Sequence, residues 1–264
     1  GYANIPISNV TIVSDGDKAT AEHTRDQVKK FVPALGSVET WRLMDGTDYT
    51  HVAELLQKIN EHQTDLIVTY RHLHESSFVP QHSLGVYLDV MTQSTSIPVL
   101  VLPGTGSNPK DLSGNICDRT MVIADTISGD NRLINYGSSF CPDGGTLWLC
   151  HVEDDRTFER YMGAISRIPE IDSDEARVPI DEQLLKEASD FIASCTEILQ
   201  QERGAVQFKS RVTRGHFVRQ YKQLVEDAEI DLVVVNTKDD DQLAMHGMAY
   251  SLTIELDETA LLLL

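Results

Sequence analysis

The sequence predicts an α/β protein of two tandem, doubly wound parallel sheets, the first copy shortened. Three observations carry that prediction. Strand-like apolar runs alternate with helix-like stretches along all 264 residues, the pattern of parallel sheets built from right-handed crossovers. Several of those runs are apolar on both faces, as in sheets covered on both sides. The order of elements in the first half also recurs in the second.

Taken in order, NVTIVSD reads as the first strand and ends at Asp15. KATAEHTRDQVKKFVPAL spaces Ala21, Val28 and Phe31 as a helix does. SVETWRLM alternates Val38, Thr40 and Arg42 with Glu39, Trp41 and Leu43, which predicts a strand. YTHVAELLQKINEHQ puts Val52, Leu55, Leu56 and Ile59 on one helical face. DLIVTY is a buried strand, SLGVYLDVMTQ a helix, and SIPVLVLP the closing strand. Residues 103–116, PGTGSNPKDLSGNI, hold two prolines and three glycines in a polar setting, which rarely makes regular structure. The expected division is a first unit over 1–103, a linker over 104–117 and a second unit over 118–264.

RTMVIAD restarts the pattern and ends at Asp125. SGDNRLINYGSSF reads as a helix with Asp130 near its start, and GTLWLCHVED as a strand. Residues 155–180 suggest a short helix and an acidic loop, IPEIDSDEARVP. A long helix is expected from about Asp181 to Arg203, with Leu184, Leu185, Ala188, Phe191, Ile192, Cys195 and Ile198 on its apolar stripe. VQFKSRV, DLVVVN and TALLLL read as strands, with HFVRQYKQLVEDAE and MAYSLTIEL as the helices between them.

The chain carries 22 basic and 41 acidic residues, a net charge of −19. Residues 1–115 contribute −5 of this and the rest −14. Such a surface repels nucleic acid and anionic membrane. No segment approaches the roughly 20 apolar residues of a membrane span. No basic-then-apolar leader opens the chain, so a cytoplasmic protein is the expectation. Cys117, Cys141, Cys150 and Cys195 lack C-x-x-C spacing, which points to reduced core thiols rather than a zinc ribbon or redox pair.

The two halves overlay. VSD at 13–15 matches IAD at 123–125. LMDGTDYTHVAELLQKINEHQTDLIVTY (43–70) matches VTRGHFVRQYKQLVEDAEIDLVVVN (212–236), each with a Gly (Gly46, Gly215) before an amphipathic helix. SLGVYLDVMTQSTSIPVLVLP (83–103) matches MHGMAYSLTIELDETALLLL (245–264). This ordered series resembles the universal stress protein family in tandem form. The first copy lacks one strand–helix unit, between residues 33 and 38. The resemblance implies an adenine-nucleotide-type fold. It also implies a role in stress response through protein partners, with ATP as cofactor in those members that bind it. Members pair their last strand across a dimer. Here Ile97–Leu102 and Ala260–Leu264 would run antiparallel within one chain as an internal pseudo-dimer, with association into a homodimer left open.

ATP-binding members resemble one another in G-x-x-G-x9-G-[ST], where glycines let backbone amides reach phosphate. In the second half the first glycine position is Asn236. The loop TKDDDQLAMH then runs to Gly247, and Met248 stands where the hydroxyl residue would. Asp239, Asp240 and Asp241 would each oppose a phosphate charge about 5 Å away by roughly 3 kcal/mol at an effective dielectric near 20. In the first half, TYRHLHESSFVPQHSLG keeps only Gly85. The expectation is a binding protein without catalysis, tight ATP binding or a cofactor. The alternatives are an ATP-binding or weakly ATP-hydrolysing protein using Asp15 and the basic loop at Arg71, or a cytosolic regulatory domain of a transporter.

The candidate ligand-crevice residues are Asp15, Arg71, Gly85, Asp125, Asn236, His246 and Gly247. In ATP-binding members the aspartate matching Asp15 and Asp125 helps hold the adenine side; the other reading of both is a cap for the following helix. His246 and Gly247 would start a helix whose amides favour anions. His72, His74 and His82 share one loop, and His-x-His puts two imidazoles on one side of a strand, but no fourth zinc ligand can be named. Arg214, His216 and Arg219 read as charges offsetting an acidic neighbourhood. Ser139 and Ser251 lack a His–Asp partner pattern, so hydrolase chemistry has no support.

Overall fold

In the computed structural model, residues 1–75, 82–124, 131–237 and 247–264 are described. Their strands form one sheet instead of two. It contains β1 (Asn9–Val13), β2 (Thr40–Met44), β3 (Leu66–Arg71), β4 (Val99–Thr105), β5 (Arg119–Ile123), β6 (Thr146–Asp154), β7 (Gln207–Gly215), β8 (Leu232–Val235) and β9 (Ala260–Leu263). Their order is β2-β1-β3-β4-β9-β8-β5-β6-β7. Every neighbouring pair is parallel except the junction. There β4 and β9 run antiparallel, with Val99 opposite Leu263 and Val101 opposite Leu261.

The two halves fuse because their last strands are the most apolar. Val99–Pro103 and all of β9 are buried. Left at an edge, such strands would expose unpaired backbone beside apolar side chains. Pairing them places both at the centre of the sheet. Since the pair is antiparallel, the carboxyl ends of the two halves point to opposite edges, so ligand crevices of this fold type would lie on opposite sides of the molecule.

The first half threads β1, α1 (Lys18–Phe31), β2, α2 (Val52–Asn60), β3, α3 (Val86–Ser94) and β4. A short 3-10 turn at Pro33–Leu35 links α1 to β2. The second half adds a strand: β5, α4 (Arg132–Phe140), β6, α5 (Asp155–Ile165), α6 (Ser173–Glu202), β7, α7 (Phe217–Asp227), β8, α8 (Gly247–Glu255) and β9. Thus β6 separates β5 from β7, whereas β2 lies directly against β1.

One expectation needs revision. The acidic stretch before Asp181 is helix: α6 begins at Ser173 and runs 30 residues through Pro179. Asp172 caps it by accepting the N–H groups of Asp174 and Glu175. Carboxylates in a first turn also favour the helix dipole, which is why an acidic run could start a helix here. The stretch between the halves is packed down: Leu112 and Cys117 are buried, and the Cys117 N–H donates to the Phe31 carbonyl at 2.7 Å. All four cysteines are free and buried, and burial pushes the Cys141 and Cys150 thiols up to about 11 and about 12.

Candidate first-half crevice

The first-half crevice opens where β1 and β3 end. Asp15 stands just past β1. Its Oδ2 accepts the backbone N–H of His74 at 3.0 Å. Gly106, just past β4, closes over the same carboxylate. A Cβ at Gly106 would stand 2.5 Å from Asp15 Oδ2, so any larger residue there would have to displace that carboxylate.

His74 then turns its ring into an aromatic cluster. Its centroid lies 5.0 Å from Tyr49 and 5.4 Å from Tyr87, and the two tyrosines lie 5.5 Å apart. Edge-on and tilted ring pairs at these distances are favourable. Tyr49 is buried, and its hydroxyl donates to the Ser14 carbonyl at 2.8 Å. Burial, and then the nearby Asp15 charge, push its ionisation up.

Next to this cluster lies the start of α3. The Val86 N–H donates to Glu75 Oε1 at 2.7 Å. The other carboxylate oxygen, Oε2, meets His72 Nδ1 at 2.7 Å. A helix start presents unpaired amides and a partial positive charge, which suits a phosphate. Here a carboxylate from the chain itself holds that position. The loop reaches back because Gly85 takes φ +89°, and a Cβ on it would come within 2.8 Å of His72 Cα. His72 and His74 themselves adopt φ +57°, a left-handed conformation that costs a non-glycine residue roughly 1 kcal/mol or more.

The remaining sequence candidates fall elsewhere. Arg71 does not face this crevice. Its buried guanidinium crosses to the second half and donates to the carbonyls of Thr253 and Leu256 at 3.0 and 3.1 Å, at the C-terminal end of α8. Its Nε and Nη1 have no hydrogen-bond partner among the described residues, and desolvation lowers its pKa to about 10. Asn236 follows β8 beside Thr237, whose N–H and hydroxyl both donate to the Leu264 carbonyl. Gly247 opens α8, is exposed, and has open space where a Cβ would stand. Asp125, Asp130, His246 and the Asp239–Asp241 run lie outside the described residues.

Of the histidines, His82 is exposed while His72 and His74 are engaged as above. Among the described residues, no three His, Cys, Asp or Glu side chains gather as a metal site. His216 caps α7, accepting the Arg219 N–H. Arg214 stacks over Phe158 at 4.4 Å and pairs with Asp155 and Asp181. Asp154, at the end of β6, accepts the N–H groups of Arg156, Thr157 and Phe217, so one carboxylate serves two helix starts. Sequence reasoning missed Tyr49, Glu75, Tyr87 and Gly106. Glu75 carried no signal beyond following R-H-L-H, because its partner amide is eleven residues away.

No protein-family model matches the sequence, and no curated protein matches it. Solved structures do. A universal stress protein from Archaeoglobus fulgidus is similar over 93% of this chain and 76% of its own, at 13% identity and TM-score 0.51. A functionally unknown protein from Pseudomonas aeruginosa is similar over 97% of this chain and 80% of its own, at 11% identity and TM-score 0.49. At 13% identity the Archaeoglobus fulgidus match establishes the fold and nothing finer. No helix among the described residues is long and apolar enough to cross a membrane.

Proposed function

We propose, on the premise of a universal-stress-type fold, that the chain is a tandem universal stress protein that acts in stress response by binding partners, without tight ATP binding and without catalysis. The observation that carries this reading is the occupied first crevice. Glu75 holds the α3 amide that would meet phosphate, and His74 lies on Asp15 and against Tyr49 and Tyr87. A nucleotide would have to displace a charge-assisted hydrogen bond and an aromatic cluster before gaining its own contacts. The sequence of the second loop, with three consecutive aspartates and Met248 in place of a hydroxyl, points the same way.

Each half then serves as scaffold. Arg71 and the β4–β9 pair tie the halves together, so the chain has internally the strand pairing that single-copy members would obtain by dimerising. The test is native mass spectrometry of the purified chain with and without added ATP. The proposal expects no retained nucleotide at micromolar ATP. One nucleotide per chain, either co-purified or bound on addition, overturns it.

A further inference from the structure

Residues 203–222 carry six of the chain's 22 basic residues and no acidic one, in a chain of net charge −19. This run contains β7, the edge strand of the second half. On its inner side β7 pairs with β6 over all nine residues. In a parallel ladder alternate backbone groups point away from the partner, so the outer side of β7 offers a row of donors and acceptors. Alongside lies a groove of about 560 Å³ between one face of α6 and this strand, lined by Ile192, Thr196, Glu197 and Gln200 from the helix and Arg211 and Val212 from the strand.

The basic residues divide into two sets. Arg203, Arg214 and Lys222 are held in ion pairs. Lys209, Arg211 and Arg219 are exposed and make no ion pair among the described residues. Lys209 lies over the Trp148 ring at 5.1 Å. Period two places Lys209 and Arg211 on one face of β7 and Ser210 and Val212 on the other.

We infer that this edge and groove bind an extended, acidic segment of a partner protein, which adds to the sheet as a tenth strand. Main-chain hydrogen bonds to β7 supply affinity, and Lys209 and Arg211 select carboxylates on alternate positions. A second copy of the chain fits worse. Antiparallel pairing of β7 with itself would set Lys209 and Arg211 close to their own counterparts, and like charges across a ladder destabilise it. The overall negative charge does not defeat an acidic partner, because at physiological salt fields are screened beyond about 8 Å. The lysine and arginine that protect a free edge from indiscriminate pairing are here the groups that choose the partner.

The test uses the intact chain and a fluorescein-labelled ten-residue peptide of alternating glutamate and valine, followed by anisotropy. A peptide with lysine for glutamate and a ten-nucleotide uridine RNA serve as controls. The inference expects the acidic peptide to bind and to slow amide exchange across β7. Lys209→Glu with Arg211→Glu should weaken it at least tenfold while the chain stays folded, its melting temperature lowered only by the loss of the Lys209–Trp148 contact. No binding of the acidic peptide, equal binding of the basic peptide or the RNA, or β7 protection by self-association without peptide would each overturn the inference. The assay contains no nucleotide, so its failure is separate from failure of the first-crevice reading.

Discussion

The Glu75 carboxylate accepts the Val86 backbone N–H at 2.7 Å, so the start of α3 is satisfied by the chain's own side chain. His72 braces the same carboxylate from its other oxygen. Glu75→Ala should therefore lower stability by about 1–2 kcal/mol, the usual cost of losing a helix cap. Glu75→Gln, which keeps an acceptor, should lose less. Urea denaturation of the three proteins checks the order.

A side chain at Gly106 should displace the Asp15 carboxylate. In Gly106→Ala the new Cβ would collide with the Asp15 carboxylate, and overpacking of this kind costs about 1–3 kcal/mol. Asp15→Ala in the same chain should recover part of the loss. A double-mutant cycle that shows strict additivity would contradict the contact.

Arg71 couples the two halves. Arg71→Met removes a buried charge together with both of its hydrogen bonds to the Thr253 and Leu256 carbonyls. The expected loss is about 1.5–3 kcal/mol, the usual worth of hydrogen bonds to a charged group. Arg71→Lys should not restore stability fully, because both bonds come from Nη2 and a lysine ammonium would end about one bond short of that atom. Exchange of the β4 and β9 amides should quicken in Arg71→Met.

Asp89 supplies a pH signature. Burial, and then the neighbouring Glu75 charge, raise its pKa above 3.8, with the Tyr250 hydroxyl partly opposing. For a carboxyl raised on folding, the unfolded chain releases its proton first. Stability is therefore lost as pH rises through 3.8 to the folded value. Asp89→Asn should raise the melting temperature at pH 7, and the gain should vanish below pH 3.8. A gain that persists in acid would mean packing, not ionisation, is responsible.

Much of the fold was legible because hydrophobic period is a local signal. DLIVTY, DLVVVN and TALLLL read as strands from their own residues, and Leu66–Arg71, Leu232–Val235 and Ala260–Leu263 are buried strands. The start of α6 was not legible, because Pro179 masked a helix whose Asp172 cap lies seven residues upstream. The crevice was legible only where a residue ends a strand, as Asp15 does. Arg71 reads from sequence as a loop cation, yet its partners lie 182 and 185 residues away. Glu75, Tyr49 and Gly106 act through contacts between distant segments, which period and spacing do not encode.

The most direct measurement follows the Val86 and His74 amides by NMR during an ATP titration of the intact chain. The account predicts that both signals stay in place to millimolar ATP, because Glu75 and Asp15 already hold those N–H groups. Saturable movement of both at micromolar ATP, with Glu75 released from α3, would contradict it.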